Sequence, residues 1–142
     1  MFNVPLATAY PAIFHKESNG GYFIEFPDIQ GAYTGVNEDN LPYAMAMAQE
    51  VLGLVLADYI EEDDTLPTPT PINEIAHEET DFVTLISVDV EQYLKDKGLV
   101  KKTLTIPAWA NNLGNRAGIN FSELLTNAIS EEALHSVNSH DK

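Results

Sequence analysis

The sequence predicts an α+β chain: an antiparallel sheet with one long helix packed on it, then a short strand followed by two short helices. Three observations carry that expectation. Alternating segments flank the turn Ser18-Asn19-Gly20-Gly21. From about Asp39 to Ile60, apolar residues recur at threes and fours. From Lys101 to Leu134, six alternating residues precede two stretches with helical spacing. The chain divides accordingly into residues 1–96 and 97–142.

Residues 1–9 give little signal. Tyr10 to Glu17 reads as a first strand, with Ala12 and Phe14 on one face. Asn19-Gly20 supplies the positive φ angles of a tight hairpin. Tyr22 to Phe26 alternates again, with Tyr22, Ile24 and Phe26 on one face and Glu25 on the other. Pro27-Asp28 breaks that strand, and Gln30 to Val36 reads as a third. In the helix that follows, Leu41, Ala44, Ala48, Val51, Leu52, Val55 and Tyr59 are expected to lie on the sheet. Pro42 is tolerated in its first turn. Tyr43, Met47 and Leu54 share a different face, either a wider core or a patch for a partner.

Glu61-Glu62-Asp63-Asp64 places four acids at the end of this helix, where they oppose its dipole and mark a frayed end. The proline-spaced Leu66 to Pro71 reads as a stiff extended connector. Phe82 to Val88 is nearly continuous in apolar residues and predicts an inner strand. Asp89 and Gln92 frame a short helix that Gly98 stops. The hinge is expected at Lys97 to Val100.

In the C-terminal region Lys101, Thr103 and Thr105 point one way and Lys102, Leu104 and Ile106 the other. Pro107 opens a helix with Trp109, Leu113 and Ala117 at spacings of four, and Gly118 ends it. Trp109 is expected in a core. Asn120 and Glu123 form a capping box for a second helix, whose apolar face is Leu124, Leu125, Ala128, Ile129 and Leu134. Residues 135–142 read as a frayed tail. One strand and two helices bury too little surface to stand alone, so this face needs a partner.

This strand–helix–helix pattern, with TLTIP before one helix and GINFSELL opening the next, resembles the ribbon-helix-helix family of dimeric DNA-binding proteins. The resemblance covers roughly the last third of the chain. It implies a two-stranded ribbon in the DNA major groove, one strand per protomer. The DNA-binding residues carried over are Lys101, Lys102, Thr103 and Thr105 of the strand, with Asn120 and Ser122 offering a helix N-terminus to phosphate.

The first region has a resemblance of its own. The string YPAIFHKESNGGYFIEFPDIQGAYTG, then AMAMAQEVLGL, then LPTPT, is similar to the HicB antitoxin family. Together the two resemblances cover nearly the whole chain. This one implies a partial ribonuclease H-like fold for residues 1–96. It also implies a basic ribonuclease toxin, HicA, as the partner and repression of the antitoxin's own operon. The residues expected to meet the toxin are Glu25, Asp28, Tyr33, Tyr43 and Met47.

Charge agrees with that division of labour. The net charge is −15, but residues 1–94 hold seventeen acidic residues and one basic residue, Lys16, while residues 95–142 hold six basic and five acidic. An acidic region suits a basic partner. DNA affinity must then rest on local placement of Lys101, Lys102 and Arg116, which screening allows.

Other chemistries fare worse. With no cysteine, disulfides and thiolate metal sites are excluded. The four histidines, His15, His77, His135 and His140, stand at no metal-ligand spacing and read as surface residues. A two-metal nuclease needs convergent carboxylates, for which Glu25, Asp28, Glu50 and Asp58 are the candidates. No nucleophile elbow or phosphate-binding glycine loop is present. No basic stretch followed by an apolar run opens the chain, so a cytoplasmic protein is expected. The expectation is a non-enzymatic antitoxin and repressor without cofactor, forming a homodimer or higher even-numbered oligomer. The alternatives are a metal-dependent nuclease with a DNA-binding tail, or a lone repressor with a ligand-sensing domain.

Overall fold

The computed structural model describes residues 6–95 and 98–139, with side chains described as far as 133. Strands β1 (Ala7–Lys16), β2 (Tyr22–Glu25) and β3 (Tyr33–Val36) precede helix α1 (Leu41–Glu61). A 3-10 turn at Ile72–Glu74, strand β4 (Phe82–Asp89) and a second 3-10 turn at Val90–Tyr93 follow. Helices α2 (Ala108–Arg116) and α3 (Phe121–Ser139) close the described chain.

The four strands form one antiparallel sheet in the order β3-β2-β1-β4. Alternation assigns its two faces. Tyr10, Ala12 and Phe14 of β1, Tyr22 and Ile24 of β2, and Ile86 and Val88 of β4 point inward onto α1. Helix α1 answers with Ala44, Ala48, Leu52 and Leu56, all buried. The two alanines let the helix axis approach the sheet closely. Leu41 is exposed and Val51, Val55 and Tyr59 are half-buried, so the packed stripe is narrower than the periodicity predicts.

Several elements differ from expectation. Strand β4 is an edge strand, not an inner one: it pairs with β1 alone among the described residues. Its apolar run is two faces read as one, because Ile86 and Val88 enter the core while Leu85 is 52% exposed. Ala7 to Ala9, which gave little signal, are strand because Asp89 to Ser87 lie opposite them. Strand β3 begins at Tyr33; before it, Phe26 to Ala32 forms turns with Gly31 at φ +87°. Only Gly20 of the β1–β2 turn has positive φ; the Asn19 side chain instead accepts a hydrogen bond from Gly21 N–H at 2.8 Å. Helix α1 begins at Leu41, two residues after the expected start near Asp39, and Asn40 caps it by accepting from Tyr43 N–H at 3.1 Å.

The acidic end of α1 is pinned rather than frayed. Asp63 adopts φ +58°, Asp64 N–H donates to Tyr59 O at 2.9 Å, and Glu61 accepts from Lys95 N–H at 2.7 Å. The proline-rich connector is tied to the sheet as well. Tyr10 Oη donates to Pro67 O at 2.6 Å, Leu66 is buried in the core, and Thr70 bonds Asp28.

In the C-terminal region both helices and Gly118, at φ +69°, stand where the sequence places them. Asn120 caps α3 by accepting from Glu123 N–H at 3.1 Å. Residues 101–106 form no strand in the single chain. A strand is defined by its hydrogen-bonded neighbour, and this chain supplies none for them. Trp109 is 68% exposed, not in a core. Helix α3 runs on to Ser139, where a frayed tail was expected. Lys97 of the expected hinge lies outside the described residues, as do the side chains of Leu134 and His135 and the whole of His140.

Candidate partner-binding surfaces

The outward face of the sheet carries a row of side chains that the register sets side by side. His15 stands opposite Phe23, and Ile13 opposite Glu25, which itself stands opposite Tyr33. The Phe23 ring stacks on His15 with centroids 5.8 Å apart and meets Tyr33 at 6.0 Å. Tyr33 is 61% and Phe23 37% exposed. Adjoining aromatic rings open to solvent are a composition enriched at interaction surfaces.

His15 is held from both sides. Its Nε2 lies 2.6 Å from Glu25 Oε2 and its Nδ1 2.6 Å from Asp81 Oδ2. Two carboxylate acceptors require two N–H donors, which only the doubly protonated ring has. Burial alone lowers the His15 pKa; the hydrogen bonds to Glu25 and Asp81, with their charges, outweigh it and raise the pKa above its ordinary value. The Asp81 side chain is only 6% exposed. Sequence reasoning missed this clamp. The outward alternation of His15 and Glu25 hinted at half of it, but Asp81 lies 66 residues from His15 and gave no signal.

The expected toxin-contacting residues do not form one surface. Glu25 and Tyr33 meet on the outward face of the sheet. Tyr43 and Met47 belong to α1, which covers the other face; Tyr43 is exposed beside Val36 and Asn37, and Met47 packs partly on the core. Asp28 is committed within the chain: it accepts from Thr70 N–H at 2.8 Å and from Thr70 Oγ1 at 2.5 Å. Among the described residues, no three His, Asp or Glu side chains are grouped to hold a metal ion.

The second surface lies in the C-terminal region. Leu104, Ile106, Trp109, Leu113, Leu124 and Leu125 line an open cleft of about 740 Å³ between residues 102–106 and helices α2 and α3. The helices approach closely because residue 114 is glycine; a Cβ there would fall 2.4 Å from the Phe121 ring. Of the expected DNA-binding residues, Lys102 and Ser122 line this cleft. Lys101, Thr103, Thr105 and Asn120 are exposed, and the Asn120 side-chain oxygen is occupied as the cap of α3. Helix α1 is long and apolar enough by length and composition to cross a membrane, but its apolar stripe packs on the sheet.

Comparison with known proteins supplies the family. The model of the HicB_like antitoxin of bacterial toxin-antitoxin system matches residues 10–113. Antitoxin HicB 1 of Photorhabdus laumondii is 29% identical over 74% of this chain and 63% of its own length. An uncharacterized protein of the rep-hol intergenic region of Haemophilus phage HP1 is 32% identical over 70% of this chain and 73% of its own. Among solved structures, a chain of the toxin-antitoxin complex from Streptococcus pneumoniae superposes with a TM-score of 0.57 at 35% identity, covering 89% of this chain and 99% of that one. The chain therefore belongs to the HicB-like antitoxins of bacterial toxin–antitoxin systems.

Proposed function

We propose that this antitoxin binds and inhibits a HicA-like, mRNA-cleaving ribonuclease and represses its own operon by binding operator DNA. Residues 1–96 form the toxin-neutralising part, with the partial ribonuclease H-like fold that the resemblance implies. Residues 97–142 form a ribbon-helix-helix part that dimerises and binds DNA. The chain itself performs no catalysis, needs no cofactor, and works in the cytoplasm, where its RNA-cleaving partner and its operator are.

The observation that carries this reading is the charge division. Residues 1–94 hold seventeen acids against one base, Lys16, and that lysine is paired with Asp39 at 3.3 Å. A surface of that sign attracts a basic ribonuclease and repels nucleic acid. The C-terminal region lacks this excess of acids, and its open apolar cleft suits a second copy of itself. In such a dimer residues 101–106 of two chains pair as the ribbon, so that Lys101, Thr103 and Thr105 project together.

Co-expression with the product of the neighbouring gene tests the pairing. The expected result is a stable complex with a short basic protein that is toxic when expressed alone. If the neighbour is neither basic nor toxic and does not co-purify, the antitoxin reading of residues 1–96 fails.

A further inference from the structure

The outward face of the sheet combines three features that do not occur together elsewhere among the described residues. Phe23 and Tyr33 offer two adjoining ring faces to solvent. Glu25 stands directly opposite Tyr33 in the register, so a carboxylate borders the rings. The surrounding region is strongly acidic; its one lysine, Lys16, is held by the Tyr22 ring at 4.8 Å and by Asp39, and Tyr22 points into the core. Rings bordered by a carboxylate in a negative field select a planar cation. A guanidinium stacks on an aromatic face and pairs with a carboxylate at its edge, which an ammonium does less well.

We propose that Phe23, Tyr33 and Glu25 form the docking site for an arginine side chain of a basic protein partner. The site rests on the antitoxin reading above, and the partner it names is the toxin. His15 orients the site. Held between Asp81 and Glu25, it fixes the Glu25 carboxylate and stacks on the neighbouring Phe23 ring. As a cation at one end of the row, it also directs an incoming arginine toward the Tyr33 end. Exposed rings serve equally as a stacking platform for single-stranded nucleic acid, but that use needs a cationic groove along the backbone, and here the field has the opposite sign.

The test uses the full chain and the basic ribonuclease encoded beside it, in calorimetric titrations with wild type, Tyr33→Ala, Phe23→Ala and Met45→Ala. Circular dichroism melts confirm that each variant is folded. Met45 is the control, because it is exposed on α1 on the other side of the sheet. The expected result is that Tyr33→Ala and Phe23→Ala each weaken binding by about tenfold or more, while Met45→Ala stays within about twofold. An oligo-arginine peptide titrated into the isotopically labelled chain is expected to shift the amide resonances of β2 and β3 more than an oligo-lysine peptide of equal length. Wild-type affinity in both Tyr33→Ala and Phe23→Ala, with the ribonuclease still bound, overturns the site and leaves the antitoxin reading intact. No binding by wild type overturns both. Tyr33-dependent binding of a short RNA in place of the ribonuclease overturns the arginine site in favour of a nucleic-acid platform.

Discussion

The carboxylate of Asp28 accepts two hydrogen bonds from Thr70, 42 residues further along the chain: one from its N–H at 2.8 Å and one from its hydroxyl at 2.5 Å. Next to it, Tyr10 donates to Pro67 O at 2.6 Å. These bonds fasten the proline-rich connector to the sheet, so Asp28 serves the fold. Asp28→Ala is expected to destabilise the protein by about 1–3 kcal/mol, since it leaves the Thr70 donors without their acceptor. Urea denaturation measures this loss. Affinity for the ribonuclease, measured on the folded variant, is expected to stay near wild type.

The His15 clamp gives stability a pH dependence with a definite sign. The folded-state pKa of His15 is raised, after burial is outweighed by Glu25 and Asp81. The folded state therefore binds the proton more tightly than the unfolded chain. The clamp's contribution is fully present below the unfolded value of about 6.5 and is lost as pH rises through the higher folded value. The melting temperature is expected to fall as pH rises above about 6.5, and the fall is expected to flatten in His15→Gln. Equal slopes in the two proteins contradict the clamp.

Gly53 is where α1 meets the second 3-10 turn. A Cβ at this position would lie 2.3 Å from the Tyr93 ring. Gly53→Ala gains about 1 kcal/mol of helix propensity but overpacks the contact, which costs about 1–3 kcal/mol. Net destabilisation is expected in the wild-type background. In Tyr93→Ala the clash is absent, so the same substitution is expected to stabilise. A four-protein denaturation cycle reads this reversal of sign directly.

Dimerisation and DNA binding are expected to separate by substitution. Leu124→Glu puts a charge into the apolar cleft that Trp109 and Leu104 share, and is expected to yield a monomer in sedimentation experiments that no longer binds operator DNA. The triple variant Lys101→Ala, Thr103→Ala, Thr105→Ala is expected to remain dimeric and to lose binding in mobility-shift assays. Losing Lys101 alone lowers the salt slope by about one if it contacts phosphate. A triple variant that binds the operator like wild type contradicts the ribbon.

Local patterning made much of the fold legible. The hairpin, the existence of α1, the Asn120 cap and the Gly118 stop all depend on residues within a few positions of one another. What was missed depends on distance or on a partner. Nothing near Asp28 announces Thr70, and nothing near His15 announces Asp81. The apolar run of β4 reads as an inner strand because its sequence cannot show that Leu85 faces solvent at the sheet edge. Residues 101–106 alternate like a strand yet form none, because no described segment of this chain lies beside them as a hydrogen-bonding neighbour. For the candidate site, the outward position of Glu25 was readable. Its completion by Phe23, His15 and Asp81 follows only from the register and the return of the chain through β4.

Direct binding is the proposed means by which this antitoxin silences a ribonuclease. The most direct measurement titrates the purified full chain into the neighbouring gene's ribonuclease at a fixed concentration and follows cleavage of a labelled mRNA. The predicted result is a linear fall to zero activity at equal stoichiometry, with the chain showing no cleavage when assayed alone. Undiminished cleavage at several-fold excess of the chain, with the ribonuclease shown to be folded, contradicts the account.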